Sequence, residues 1–321
     1  MLTDDTKTDS TEFVNNKYNR NNIIELKEAS GPWLHAWYDP LAHLHATSSR
    51  IITCDITNDG NFALIVADDS KRLCVFRGMN LISSHKLIDY PGCLSVFNPI
   101  SINNNSTLPA LCVGIMSNVY IYKSMKPYYK FTLPNLVINE REQIIWDNYV
   151  NNGNNDPGLV LNELKALRAE LIMTGNHKSS VDNGLTFRSM FILSLTDFDE
   201  QIKYIKSYKS VPLISNTIIT CMTSINKEYD TDNAVSSLII GTENKEILFL
   251  DENGTKVANK ITIPNIPIFI RVIGLLSIDY RLIIATRAAK IYTIKNGKLT
   301  GISIQLESLI SAMNIINKLI I

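Results

Sequence analysis

One pattern of apolar and polar positions recurs four times along the chain. Three apolar residues lead into Ala or Gly, then a short polar turn, then a second apolar run ending in charge. LIVADDSKRLCVFRG starts at Leu64, LCVGIMSNVYIYKS at Leu111, LIIGTENKEILFLDENG at Leu238 and LIIATRAAKIYTIKNG at Leu282. Each reads as a strand, a tight connection and a second strand. The small residue returns as Ala67, Gly114, Gly241 and Ala285, as a close backbone approach in a crowded sheet would require. A second phrase trails each of three hairpins: KLIDYPG at Lys86, KFTLPNL at Lys130 and KITIPNI at Lys260. The spacing between neighbouring repeats is roughly 45 residues, the period of β-propeller blades. A blade cannot bury both its faces alone, so blades stack around an axis.

Between the second and third hairpins the period changes. In EREQIIWDNYV, the residues Ile144, Ile145, Tyr149 and Val150 fall on a helical stripe. Asp156 is a good N-cap, with Pro157 at the first helical position. Val160, Leu161, Leu164, Leu167 and Leu171 then line one face of a second helix. Residues 139–173 are predicted to form an antiparallel helical pair whose leucine stripe packs on the propeller. GNHKSSVDNG (175–184) reads as a mobile linker, FRSMFILSL as a strand and TDFDEQIKYIKSYKS as a short helix; TIITCMTSI resumes the blades at Thr217. The terminal IINKLII resembles the opening strand of a further repeat near Leu319.

The predicted fold class is therefore all-β. It is an incomplete β-propeller of about four blades plus the start of a fifth, with an inserted α-helical hairpin. The expected divisions are an acidic, polar tail (1–30), blades 1–2 (31–138), the helical insertion, linker and short helix (139–210), and blades 3–4 with the first strand of the next (211–321). An unfinished wheel leaves raw edges, so either the chain is a fragment or another polypeptide completes it. The innermost strands are expected to be LIVA, LCVG, LIIG and LIIA, whose apolar character suits packing rather than chemistry.

Composition narrows the function classes. Thirty-one basic residues balance 31 acidic ones for a net charge of +0, so no overall field draws nucleic acid or anionic lipid. The five cysteines, Cys54, Cys74, Cys93, Cys112 and Cys221, form no C-x-x-C; in apolar strand-like runs they behave as small hydrophobes and favour a reducing compartment. The polar N-terminus is no secretory signal, and the apolar stretch Ile261–Ala285 is interrupted by prolines and charges, too short to span a bilayer. A soluble protein with at most indirect membrane association is expected. No nucleophile elbow, H-E-x-x-H, P-loop or G-x-G-x-x-G occurs, and no cofactor is expected.

Candidate chemistry is sparse. GPWLHAWYDPLAHLHA, residues 31–46, holds His35, His43 and His45 beside Asp39. Three converging imidazoles would suit a metal; the competing reading makes Trp33 and Tyr38 anchors, with Asp39-Pro40 forming a turn. CDITNDGNFALIV carries Asp55, Asp59 and Gly60 and resembles calcium loops of integrin-type propellers, but it offers few of the six to eight oxygens calcium takes; a hairpin turn is the simpler reading. No metal ligand set is assigned. The charged turn ADDSKR, with Asp68, Asp69, Lys71 and Arg72, reads as an exposed tip: a solvated turn or a partner contact.

WLHAWYDP, IITCDITNDGNFALIVAD, VYIYKSMKPYYKFTLPNL, TIITCMTSI and AVSSLIIGTENKEILFLD, in that order around the helical insertion, give the chain a specific likeness. From about residue 30 to 320 it resembles the N-terminal propeller of the Bardet–Biedl syndrome protein 1 family, BBSome subunits. The resemblance implies a seven-bladed propeller, of which the later blades are absent here. It also implies that Trp33, Tyr38, Asp39, Pro40 and His45 are kept while His35 and His43 vary, which disfavours a metal site. The implied role is that of a non-enzymatic scaffold in a coat-like complex for ciliary membrane-protein trafficking. Its partners would be other BBSome subunits, membrane-protein cargo and a GTP-bound Arf-like GTPase docked on the first and last blades. The first blade corresponds to about residues 50–78, and Asp68, Asp69, Lys71 and Arg72 are its candidate contacts. A calcium-binding or enzymatic propeller is the alternative.

Overall fold

The computed structural model describes residues 42–100, 108–151, 156–173, 184–231 and 233–315. Within them each predicted hairpin is the centre of a four-stranded antiparallel meander. Blade 1 comprises β1 (Ile51–Cys54), β2 (Ala63–Asp68), β3 (Arg72–Arg77) and β4 (Asn80–Lys86). Blade 2 comprises β5 (Cys93–Phe97), β6 (Ala110–Ile115), β7 (Asn118–Lys123) and β8 (Lys126–Thr132). Blade 3 is β9 (Ile219–Asn226), β10 (Ser236–Thr242), β11 (Glu246–Leu250) and β12 (Val257–Thr262). Blade 4 is β13 (Pro267–Leu275), β14 (Asp279–Thr286), β15 (Lys290–Lys295) and β16 (Lys298–Gln305).

The turns are built alike. Lys71, Lys245 and Ala289 take left-handed φ of 59°, 60° and 55° as the last residue of the β2–β3, β10–β11 and β14–β15 connections, the three-residue loop that matches the twist of the flanking strands. The trailing phrases then find a purpose. Leu87, Leu133, Ile263 and Leu306 each donate a backbone N–H to the turn of their own blade, on Lys71, Ser117, Lys245 and Ala289, at 2.7–2.9 Å. The outer strand is thereby tied back before the chain crosses to the next blade.

Blades stack face to face. Ile65, Ala67, Leu73 and Val75 of blade 1 meet Leu94, Leu111 and Val113 of blade 2. The other face of blade 2, with Val119 and Ile121, meets Leu238 and Ile240 of blade 3. Ile239, one residue along and so on the opposite face, joins Ile270, Leu282 and Ile284 of blade 4. The small-residue position sits where this stacking is tightest: a Cβ on Gly241 would lie 2.6 Å from Cys221 Sγ and 2.9 Å from Pro267 Cγ. The far face of blade 4 is left open, with Ile302 79% and Ile304 57% exposed. Among the described residues no buried cluster joins blade 4 to blade 1, so the propeller is incomplete, as expected. The predicted strand near Leu319 lies outside the described residues.

Three expectations are corrected. LIVA, LCVG, LIIG and LIIA are second strands; the innermost are β1, β5, β9 and β13, which head each meander and line the axis. FRSMFILSL is a helix: an unbroken apolar run does not by itself separate strand from buried helix, and here Ser189 and Ile192, three apart, are buried on one helical face. Finally, the insertion packs on itself. It comprises α1 (Glu140–Asn151), α2 (Pro157–Met173), α3 (Phe187–Ser194) and α4 (Phe198–Ser207). Its core is Trp146, Tyr149, Val160, Leu161, Leu164, Ile192 and Ile205. Ile144 and Val150 are exposed, because the buried face of α1 runs through Glu142, Trp146 and Tyr149. Asp156 caps α2 as predicted, accepting the Gly158 N–H at 2.8 Å. The predicted linker at 175–184 lies, but for its last residue, outside the described residues.

Candidate functional site: the tip of blade 1 and the axial strands

The β2–β3 turn brings Asp68, Asp69, Lys71 and Arg72 together, but not as an exposed tip throughout. The Asp68 side chain is completely buried, 0% exposed. Its Oδ1 accepts the His45 N–H at 2.8 Å and its Oδ2 accepts Arg72 Nη2 at 2.9 Å. The neighbouring Asp69 N–H donates to the His45 carbonyl at 3.0 Å. Residues 44–46 are thus held along the turn, and Leu44 and Ala46 cover Val66, Cys74 and Phe76 on the front of blade 1. Burial alone would raise the Asp68 pKa; the hydrogen bonds from His45 and Arg72 overcome it and hold the carboxyl at about 2. Asp68 is therefore a buried tether rather than a surface contact.

Of the remaining charges, Asp69 is exposed and Lys71 and Arg72 are half-buried, and each is paired. Arg50 pairs with Asp69. Lys71 Nζ lies 2.7 Å from Asp89 Oδ1 and 4.2 Å from the centre of the Tyr90 ring. Asp69 and Lys71 are thus held by partners on neighbouring segments and Arg72 by Asp68 of the same turn, forming a mixed-charge surface.

Trp33, Tyr38, Asp39 and Pro40, and with them His35, lie outside the described residues. Of the other histidines in the cluster, His45 acts through its main chain. The Asp55 carboxylate accepts N–H groups of Asp59 and Gly60 at 3.2 and 2.7 Å, closing the turn that the calcium reading competed with. All five cysteines are buried and free. Burial pushes the Cys54 thiol up to about 11, Cys221 up to about 12, and Cys93 and Cys112 well above the ordinary range, so thiolate chemistry is suppressed.

The axis is lined not by the apolar second strands expected there but by the first strand of each blade, which is more polar. Along it the inner strands carry Thr53, Ser95, Thr223, Ser224 and Arg271. At the C-terminal ends of β1, β5 and β9 a cavity of about 420 Å³ is lined by Asp55, Asn98, Asn226 and Asp230. Towards their N-terminal ends a second, of about 290 Å³, touches all four inner strands. The available signal was the interruption of apolar runs by hydroxyl residues at corresponding places, in strands whose repeat phrase is weak.

The family model for Ciliary BBSome complex subunit 1 matches residues 33–295. The chain belongs to this family. Among curated proteins it is 31% identical over 276 residues to the BBSome complex member BBS1 of Homo sapiens, and 32% identical over 276 residues to that of Mus musculus. Each match covers 84% of this chain and 44% of the relative, so the chain spans under half the length of these BBS1 proteins. A crystal structure of BBS1N in complex with ARL6DN, soaked with lead, is similar with a TM-score of 0.60 and 30% identity, covering 86% of this chain and 63% of that one. A mercury-soaked counterpart gives 0.60 and 29%. The matched residues run through blades 1–3, the insertion and the first three strands of blade 4.

Proposed function

We propose that this chain is a non-enzymatic docking platform of a BBSome-type coat, binding a GTP-loaded Arf-like GTPase and thereby serving ciliary membrane-protein trafficking. The observation that carries this reading is the likeness, over 86% of the chain, to BBS1N, a protein crystallised in complex with ARL6DN. Physical features support it. Stacked sheets make a rigid disc whose turns present contacts without reorganisation. Asp69, Lys71 and Arg72 stand on blade 1, paired with Arg50, Asp89 and the buried Asp68 respectively. The buried thiols and the absence of catalytic motifs favour scaffolding over chemistry. Partners would be other BBSome subunits, the GTPase and membrane-protein cargo, with no nucleic acid. Among the described residues no helix is long and apolar enough to cross a membrane, so attachment at the ciliary base and membrane would be indirect, through the GTPase.

The test is capture of a GTP-locked Arf-like GTPase by the purified chain, with the GDP form as control. Nucleotide-dependent binding is expected, and Asp69→Lys with Lys71→Glu should weaken it about three- to tenfold. Equal capture of both nucleotide forms, or of neither, would contradict the proposal.

A further inference from the structure

The cavity of about 290 Å³ at the axis is lined by residues from all four blades: Ser48 and Ser49 before β1, Ser95 of β5, Thr223 and Ser224 of β9, and Arg271 of β13. No Asp or Glu lines it. Arg271 is half-buried, and among the described residues it forms no ion pair; its Nη1 donates to the adjacent Ile270 carbonyl at 3.2 Å. A guanidinium carries five N–H donors in a planar fork matched to oxyanions, so that one bond leaves most of its donor capacity unused among the described residues. Hydroxyl groups supply further donors that rotate to suit. The cavity at the other end of these strands holds Asp55 and Asp230, so the two ends differ in sign. At roughly 30 Å³ per water, the Arg271 cavity has room for about ten waters, more than a single phosphoryl group needs.

We propose that this axial cavity is a binding site for a phosphoryl oxyanion, with Arg271 as the charged anchor and Ser95 and Thr223 as hydrogen-bond donors. The charge-assisted fork supplies most of the selection for a tetrahedral anion over chloride. The same chemistry is offered by free phosphate or pyrophosphate and by a phosphorylated lipid headgroup. Ser95, which lines the cavity, is itself buried.

The test is a thermal melt and calorimetric titration of the whole chain with inorganic phosphate and pyrophosphate, against sodium chloride at equal ionic strength. A parallel arm uses phosphatidylcholine vesicles with and without phosphatidylinositol 4-phosphate. A saturable rise in Tm that chloride does not reproduce is expected. Arg271→Met should weaken binding at least about tenfold, Arg271→Lys less, and Thr223→Val or Ser95→Ala by a few-fold, in variants whose circular dichroism matches the parent. Binding of the free anions would identify a soluble ligand, and Arg271-dependent binding to the phosphoinositide vesicles alone a lipid headgroup; either supports the site. No saturable response to phosphate, pyrophosphate or vesicles, or an unchanged response in Arg271→Met and Thr223→Val, would overturn it.

Discussion

Replacing Asp68 by Asn keeps the shape of the side chain and removes its charge. In the folded chain that charge is fully buried against Arg72 and the His45 N–H, and the carboxyl is held at about 2 against an ordinary 3.8. Such a depression corresponds to about 2.5 kcal/mol of folding stability. Because the folded-state pKa lies below the unfolded one, this contribution is fully present above about pH 4 and is lost as the pH falls towards 2. At neutral pH Asp68→Asn should lower stability in urea by about 1.5–2.5 kcal/mol, since the amide retains one acceptor for His45. Asp68→Ala should cost about 2–4 kcal/mol, below the cost of breaking a wholly buried pair, because Arg72 is 42% exposed and can rehydrate. The pH dependence is the sharper readout: the gap between parent and Asp68→Asn should shrink between pH 4 and pH 2. Residues 44–46 should also exchange their amides faster in both variants. A difference under about 0.5 kcal/mol at pH 7, or a gap that does not change with pH, would refute the tether.

Gly241→Ala should destabilise the chain by about 1–3 kcal/mol through overpacking, its Cβ meeting Cys221 Sγ at 2.6 Å; Cys221→Ala in the same chain should recover part of the loss in a denaturation series. Glu142 is buried on α1 and accepts the Thr186 N–H at 2.9 Å and the Thr186 hydroxyl at 2.6 Å. Glu142→Ala leaves both donors unpaired and should cost about 1–3 kcal/mol, with faster deuterium exchange in peptides covering 187–207 and unchanged exchange in the blades. Trp146 Nε1 donates to Ser189 Oγ at 3.0 Å, so Ser189→Ala should loosen the same peptides by a smaller margin, about 1 kcal/mol.

What was legible in the sequence follows from how each strand is buried. The second strands are sandwiched between blades, and β6 and β10 are buried at every position. Their apolar runs are continuous and the repeat shows through them. The inner strands touch the axis as well as their neighbours, so hydroxyls and Arg271 interrupt them and the phrase fades. The α3 segment was misread for the opposite reason, since its run of Met190, Phe191, Ile192 and Leu193 carries no period. Asp68 was misjudged because its burial is made by His45, 23 residues away, and local charge pattern carries no trace of that contact. The Asp156 cap and the hairpin turns were readable because their chemistry is local.

The central claim is radial stacking, in which the two faces of one strand look at different blades. Methyl NOEs in an Ile/Leu/Val-labelled sample test it most directly. Ile240 should show contacts to Val119 and Ile121 of blade 2, and Ile239 to Ile270 and Ile284 of blade 4. Absence of both sets, with contacts confined to hydrogen-bonded neighbours as in one flat sheet, would contradict the account.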